Sequence, residues 1–192
     1  MNAQESQFDL GERELVISAQ NGDRAAQKSI YKLYRERVHN LVFYSLGDAI
    51  FTEDVSQAIF LKIFRALPAF RFESSLATWI YRITLNECLN QNSRTGTQYV
   101  PLDAILGSGD EIDATLLPDL EHARSQRQEI IQQAVLELSP KLRTVVVLKY
   151  VEGLSYEEMA QVLNCSIGTV ASRLSRALAG LESRLRPLRR VL

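Results

Sequence analysis

Residues 153–176 read GLSYEEMAQVLNCSIGTVASRLSR and carry the signals of two helices joined by a short turn. Ser155, with Glu158 three residues later, has the pattern of a capping box, which predicts that a helix of about two turns starts there. The turn at 164–166 leads into a second helix, which we expect over 167–185. A short helix, a tight turn and a longer helix bearing arginines are typical of a DNA-binding helix-turn-helix.

The predicted second helix has an apolar side and a polar side. Residues three and four apart form an apolar stripe that we expect to face the first helix: Ile167, Val170, Leu174 and Ala177. The polar and basic side chains between them are available to base edges or phosphates, and Ala171 offers a methyl group that can meet a thymine methyl. With Lys149 from the preceding segment, the candidate DNA-binding residues are Lys149, Thr169, Ala171, Ser172, Arg173, Ser175 and Arg176.

Helical periods also fill the first 95 residues, where no strand alternation of useful length occurs. We expect four helices: a short one over 12–20, a long one from the cap Asp23 to Gly47, one capped by Thr52 and stopped by Pro68, and one capped by Ser74 or Ser75 over 76–93. Their buried stripes are expected to include Leu33 and Leu89. The loop before the last helix carries Phe70 and Phe72, which we expect to be exposed.

Residues 121–192 are predicted to be helical as well. A helix over 121–138 is followed by Ser139-Pro140, a cap with proline at the first helical position. The β-branched run at 145–148 would favour a strand by propensity alone, but the cap before it and Gly153 after it favour a helix. In the short helix that follows, Met159, Ala160 and Leu163 are expected to face inward. The fold class is therefore all-α.

The net charge of −1 hides an uneven distribution along the chain. Residues 1–95 are neutral, 96–121 hold six acidic residues and no lysine or arginine, and 122–192 have a net charge of +5. The acidic segment repels itself and lacks a helical apolar period, which favours a flexible linker. We therefore divide the chain into a helical domain at 1–95, a linker at 96–120 and a helical domain with the helix-turn-helix at 121–192.

Composition excludes several classes of protein. Two cysteines, Cys88 and Cys165, are too few for a disulfide framework or a cysteine-based zinc site. No apolar run reaches the roughly 18 residues of a membrane helix, and the start of the chain lacks a signal-peptide pattern, so we expect a cytoplasmic protein without membrane insertion. His39 and His122 are isolated and no glycine-rich phosphate loop is present, so we expect neither an enzyme nor a cofactor or metal site.

Aromatic, basic and amide side chains interleave around the loop at 70–75 and the helix after it: Arg71, Phe72, Trp79, Tyr81, Arg82 and Asn86. This mixture suits splayed bases of single-stranded nucleic acid, which stack on rings and bond through their edges. Trp79 shares a face with Ile80 and Ile83, so a place in the core competes with a stacking role. Asn86 has a donor and an acceptor for a base edge, although a surface amide without a role fits its spacing equally well.

Four motifs follow one another along the chain: NGDRAA at 21–26, EDVSQAIF at 53–60, FRFESSLATWIYRI at 70–83 and GLSYEEMA at 153–160. In this order and spacing they resemble the extracytoplasmic-function (ECF) sigma factors of bacterial RNA polymerase. The resemblance spans nearly the whole chain. It implies a domain that opens the −10 promoter element, a flexible linker and a domain that reads the −35 element.

The resemblance also implies roles and partners. The surface that docks on the clamp of core RNA polymerase corresponds to Asp54, Gln57, Phe60 and Lys62. The part that opens the −10 element and holds an extruded base corresponds to Arg71, Phe72, Ser74, Trp79, Arg82 and Asn86. The longer helix of the helix-turn-helix corresponds to the −35 reader. The implied partners are core RNA polymerase, through its clamp and flap, promoter DNA, and an anti-sigma factor that holds the protein inactive.

The sequence departs from the family pattern at three positions. Ala58 follows Gln57 where the family usually has a glutamate, Phe72 stands where many members have glycine, and Ala171 stands where many have arginine. Because of Ala171, the −35 bases preferred by better-studied members are not assumed for this chain.

Two other classes of function remain open on the sequence. A stand-alone helix-turn-helix regulator would bind duplex DNA as a dimer without polymerase, but the motifs at 53–83 argue against it. A helical adaptor would use the basic tail at 184–190 on an acidic protein or membrane surface, but the pattern of the second helix argues against that.

Overall fold

The fold is described by a computed structural model that covers residues 3–47, 49–95 and 120–188. Within these ranges every regular element is helical, as predicted. The helices are α1 (Ala3–Gln20), α2 (Arg24–Leu46), α3 (Ala49–Ala66), α4 (Leu76–Thr95), α5 (Leu120–Leu136), α6 (Pro140–Val146), α7 (Tyr156–Leu163) and α8 (Ile167–Leu185). Short 3₁₀ turns follow α3 (Leu67–Ala69) and α8 (Arg186–Leu188), and one π turn (Val147–Val151) continues α6.

The chain forms two compact units, residues 1–90 and 91–192. Most of the predicted linker at 96–120 lies outside the described residues, and the described part begins again at α5. The boundaries 1–95, 96–120 and 121–192 therefore stay a prediction.

Local caps fix the helix ends of the first unit where the sequence placed them. The Asp23 carboxylate accepts a hydrogen bond from the Ala25 amide at 2.8 Å, and the residue before it, Gly22, has a φ of 89°. Gly47 ends α2 in the left-handed conformation, with a φ of 75°. Ser75 caps α4, because its hydroxyl oxygen accepts from the Thr78 amide at 3.1 Å. Each of these positions was predicted, because the capping group and its partner lie within one turn.

Several predictions for the first unit were wrong. Helix α1 begins well before residue 12, and Thr52 lies inside α3, where it is fully buried, because α3 starts three residues earlier at Ala49. Leu33 and Leu89 are exposed, at 48% and 63%, because the neighbouring helices cover adjacent faces instead. The core on those helices is completed by Val42, Leu85 and Cys88.

The second unit confirms the helical interpretation of the β-branched run. Val145, Val146 and Leu148 are buried in α6 and its π turn, and Gly153 closes the segment with a φ of 72°. Packing against α8 thus outweighs the strand propensity of these residues. Inward residues in α7 are Met159 and Val162, whereas the predicted Ala160 and Leu163 are only half-buried.

The two residues that follow α5 contact α8 through an apolar side chain and an ion pair. A Cβ atom at Gly180 would come within 3.1 Å of the Leu138 side chain, so a larger residue would require that side chain to shift by a few tenths of an ångström. Nearby, Arg184 Nε donates to Glu137 Oε2 at 2.8 Å. These contacts hold α8 on its scaffold along its C-terminal half.

Candidate nucleic-acid interface

Two hydrogen-bonded caps and a left-handed residue shape the helix-turn-helix. The Ser155 hydroxyl accepts from the Glu158 amide at 3.1 Å, and the Glu158 carboxylate accepts from the Ser155 amide at 2.8 Å, which completes the predicted capping box. Asn164 ends α7 with a φ of 48°. Ser166 then caps α8 by accepting from the Thr169 amide at 3.1 Å. The turn is therefore defined by local bonds at both of its ends.

Helix α8 buries one side and exposes the other. Val170, Leu174 and Ala177 are buried, as predicted. Ile167, which was predicted to join them, is instead 46% exposed, because it is the first residue of α8 and lies at the open end of the stripe. Cys165 in the turn is half-buried.

The predicted DNA-binding residues of α8 lie on or beside its exposed side. Ser172, Ser175 and Arg176 are exposed, whereas Thr169, Ala171 and Arg173 are half-buried. Arg176 Nε donates to the Ser172 carbonyl at 3.2 Å, which ties this guanidinium to the helix surface. The exposed side therefore combines small polar groups with positive charge, the composition that contacts phosphates and base edges.

Lys149 differs from the other candidates because its ammonium group already has intramolecular contacts. Its Nζ donates to the Leu154 carbonyl at 3.1 Å and lies 5.4 Å from the centre of the Tyr156 ring. These contacts connect the π turn to the start of α7. The residue thus supports the entry to the helix-turn-helix, and its role toward DNA stays a prediction.

The loop before α4 is an aromatic cluster rather than a pair of exposed rings. Phe70 is buried, and its ring centre lies 4.9 Å from that of Phe72 and 5.0 Å from that of Trp79. Phe72 and Trp79 are half-buried. Phe72 has a φ of 60°, a left-handed conformation that strains any residue except glycine. The prediction that both loop phenylalanines are exposed was therefore wrong.

Helix α1 contributes to this loop, which the sequence did not indicate. Gln20 Nε2 donates to the carbonyls of Leu67 and Phe70 at 3.0 and 2.9 Å, and the Arg13 guanidinium lies 4.7 Å from the centre of the Phe72 ring. A concave site of about 250 Å³ lies between α1 and this loop. It is lined by Glu12, Arg13, Val16, Phe70, Phe72, Ser74, Ser75 and Leu76. No local pattern could have revealed Arg13, because its partner lies far along the chain.

The other predicted −10 residues are accessible. Arg71, Arg82 and Asn86 are exposed, and Ser74 is half-buried at the rim of the concave site. Trp79, Arg82 and Asn86 follow at three- and four-residue steps and so share one face of α4.

The four predicted polymerase-binding residues of α3 do not form a single surface. Asp54 and Gln57 are exposed, and Gln57 Nε2 donates to Glu53 Oε1 at 3.0 Å. Phe60 is only 5% exposed and packs edge-on against Tyr31, with ring centres 4.7 Å apart. Lys62 instead forms an ion pair with Glu87 of α4, whose side chain is 5% exposed.

A groove of about 390 Å³ lies between α2 and α3. Its lining residues are Tyr31, Arg35, Glu36, His39, Asn40, Glu53, Ser56, Gln57 and Phe60. Among the residues that the structure describes, no cluster of metal-ligating side chains occurs and no helix is long and apolar enough to cross a membrane.

Comparison with known proteins accounts for this architecture. The family model for sigma-70 region 2 matches residues 30–97, and that for sigma-70 region 4 matches residues 128–181. The RNA polymerase sigma-H factor of Pseudomonas aeruginosa is 33% identical over 185 residues, covering 93% of this chain and 96% of the relative. The ECF RNA polymerase sigma-E factor of Escherichia coli K12 is 32% identical over 187 residues, covering 93% and 96%.

Two solved structures have a similar fold. The complex of CnrH with the cytosolic domain of CnrY matches with a TM-score of 0.66 at 22% identity, covering 92% of this chain and 97% of the other. The complex of the sigma factor RpoE with the anti-sigma factor NepR from Bartonella quintana matches with a TM-score of 0.64 at 24% identity, covering 83% and 96%. The match to sigma-70 region 2 argues against a stand-alone helix-turn-helix regulator. The chain therefore belongs to the ECF family of RNA polymerase sigma factors.

Proposed function

We propose that this alternative sigma factor reads the −35 element with α8 and opens the −10 element with the loop at 70–75 and α4. The observation that carries this assignment is the two-sided character of α8. Val170, Leu174 and Ala177 fix the helix on its scaffold, while Ser172, Ser175 and Arg176 remain exposed. Helices of this kind insert their N-terminal half into the major groove, where side chains reach base edges and phosphates.

Opening of the −10 element is assigned to the aromatic cluster and the exposed face of α4. An extruded base must recover a few kcal/mol of lost stacking, which a preformed pocket with ring surfaces and hydrogen-bonding groups can supply. The concave site beside Phe72 and Ser74 is such a pocket, and Arg71, Arg82 and Asn86 offer exposed polar groups. We assign Trp79 a supporting role, because its ring packs on buried Phe70.

Docking on core polymerase is assigned to α3. Asp54 and Gln57 offer direct polar contacts, because both are exposed. Phe60 acts indirectly, because its buried ring packs against Tyr31, which lines the groove. The exposed part of the Lys62 side chain is available to polymerase, while its ammonium group is paired with Glu87. The catalysis of RNA synthesis belongs to the polymerase in this proposal, so that the sigma factor needs no catalytic group or cofactor of its own and acts in the cytoplasm.

Control by an anti-sigma factor completes the proposal. Both similar solved structures are complexes with a second protein. In the RpoE complex this second protein is the anti-sigma factor NepR. Three large apolar side chains of the first unit, Phe51, Leu61 and Leu89, are at least 60% exposed and give an inhibitor apolar surface to cover. The acidic segment at 96–120 serves as the linker that allows the two units to be held or released.

The test is runoff transcription by core RNA polymerase with and without the protein on sheared genomic DNA of its source, with mapping of new 5′ ends. New start sites that share two upstream elements support the proposal. Absence of new starts, together with no association with core polymerase, contradicts it.

Two matched variants then test the role assigned to Asn86. Asn86→Ala should reduce opening of the −10 element, measured by permanganate reactivity of unpaired thymines, without loss of −35 binding. Asn90→Ala is the control, because Asn90 is an exposed asparagine one turn later on the same helix. Equal opening by both variants removes Asn86 from the site.

A further inference from the structure

Ile167 is a large apolar side chain at the start of the DNA-reading helix. It is the first residue of α8 and is 46% exposed, although its spacing predicted burial. The cap residue before it, Ser166, and the glycine after it, Gly168, are exposed as well. The first turn of α8 therefore presents an aliphatic group where a recognition helix approaches the bases.

The position of Ile167 around the helix separates it from the arginines. At 100° per residue, Ile167 and Ala171 lie within about 40° of each other on one edge of the exposed side. Arg173 and Arg176 lie on the opposite edge, with Ser172 and Ser175 between the two edges. One edge of α8 is thus apolar and the other is basic.

We propose that Ile167 is a specificity-determining residue that contacts the C5-methyl group of a thymine in the −35 element. This inference rests on the proposed function of α8 and adds a preference for one base. An aliphatic side chain can neither donate nor accept a hydrogen bond, and the thymine methyl is the apolar group that bases present in the major groove. Contacts of Arg173 and Arg176 with phosphates hold the helix in the groove. The edge with Ile167 then packs against the bases and is removed from water.

Ala171 extends this apolar edge by one turn. It is half-buried, lies four residues after Ile167 and presents only a methyl group beside it. The −35 element of this protein is therefore expected to carry thymine on the strand that faces this edge.

The test removes the methyl group from the DNA and the side chain from the protein. Holoenzyme is bound to a promoter from the runoff experiment in which thymines of the −35 element are replaced by uracil, first all together and then singly. Uracil keeps base pairing and lacks only the C5-methyl. We expect about a fourfold loss of affinity at one position, the factor for burying one methylene-sized group.

The protein variants are Ile167→Ala and Ile131→Ala. Ile131 is the matched control, because it is an isoleucine of the same unit with 47% exposure, but it lies on α5. With Ile167→Ala the uracil substitution should have no further effect, whereas with Ile131→Ala its effect should equal that in the unchanged protein.

Four other results of these binding experiments would contradict either the inference about Ile167 or the proposed function. If the promoter is bound but no uracil substitution lowers the affinity, the inference about Ile167 fails and the sigma assignment stands. If the uracil effect persists with Ile167→Ala, another residue reads the methyl and the inference fails. If Ile167→Ala weakens association with core polymerase or an anti-sigma protein instead of DNA, Ile167 belongs to a protein contact. If holoenzyme binds no promoter, the proposed function fails together with the inference.

Discussion

The Arg13 guanidinium lies 4.7 Å from the centre of the Phe72 ring, so α1 covers the loop that precedes α4. Arg13 lies outside the residues that match sigma-70 region 2, which begin at residue 30. A positive charge over a ring stabilises both groups by about 0.5–1 kcal/mol at an accessible site. The loop assigned to the −10 element is thus held partly by a helix that the matched region does not include.

Phe72 is predicted to combine a favourable ring with an unfavourable backbone. Phe72→Ala and Phe72→Gly both remove the ring contacts with Phe70 and Arg13, but only glycine relieves the strain of the φ of 60°. We expect the glycine variant to be more stable than the alanine variant by about 1 kcal/mol in the free energy of unfolding in urea. Equal stabilities would show that the backbone at this position is not strained.

Lys62 is predicted to contribute to stability as well as to polymerase binding. Lys62→Ala leaves the buried Glu87 carboxylate without this partner, and we expect a loss of about 1 kcal/mol in unfolding free energy, because solvent screens the half-exposed lysine. Lys62→Arg keeps the charge and should stay close to the unchanged protein. A Lys62→Ala variant with unchanged stability but weaker polymerase binding would place the whole role of the lysine at the interface.

Lys149 is predicted to act through the fold. Lys149→Ala loses the hydrogen bond to the Leu154 carbonyl and the contact with the Tyr156 ring, which together should cost about 1–2 kcal/mol of stability. If this support is the whole role of Lys149, the dependence of −35 binding on salt should not change. A fall of about one in the slope of log affinity against log salt would instead indicate a phosphate contact.

Arg176 is predicted to contribute directly to −35 binding. Arg176→Ala should weaken binding by about 1–3 kcal/mol if the guanidinium reads a base, and should mainly lower the salt slope by about one if it contacts phosphate. Arg184→Ala is the control on the same helix, because the Arg184 guanidinium is bonded to Glu137 and to the Gly180 carbonyl. Equal effects of the two substitutions would point to general electrostatics and not to a site at Arg176.

The two cysteines are predicted to differ in reactivity toward alkylating reagents. Burial, reinforced by the charge of Glu87, raises the pKa of Cys88 to about 12, so its thiol stays protonated at pH 8. Because the thiolate is the nucleophile, native protein should be alkylated by iodoacetamide at half-buried Cys165 and not at Cys88. Mass spectrometry should find one modification in native protein and two after denaturation. Labelling of Cys88 at the rate of Cys165 would show that this core opens readily.

The predicted caps were confirmed because they depend on short-range bonds. Asp23, Ser75 and Ser155 each bond to an amide within three residues, so the residue types and their spacing contain all the information needed. Thr52 shows the limit of such signals, because a good capping residue was placed inside α3 by the earlier start of the helix. The family resemblance was confirmed, because it rests on four motifs that follow one another in the family order across both units.

The exposure of single side chains was predicted less well. Periodicity identifies an apolar stripe but not which part of it a neighbouring element covers, so Leu33, Leu89 and Ile167 were wrongly placed in the core. The contacts of Arg13 with Phe72 and of Lys62 with Glu87 join separate helices and leave no pattern in the sequence.

The sequence by itself determined the all-α class, most helix boundaries, the helix-turn-helix and the family, since these follow from local hydrogen bonds, apolar periods and ordered motifs. Only the tertiary structure decided that Phe70 is buried beneath Phe72, that Lys149 is bonded within its own unit and that Ile167 is exposed. The physical reason is that burial and side-chain pairing depend on which helices meet, and those contacts join residues far apart in the chain.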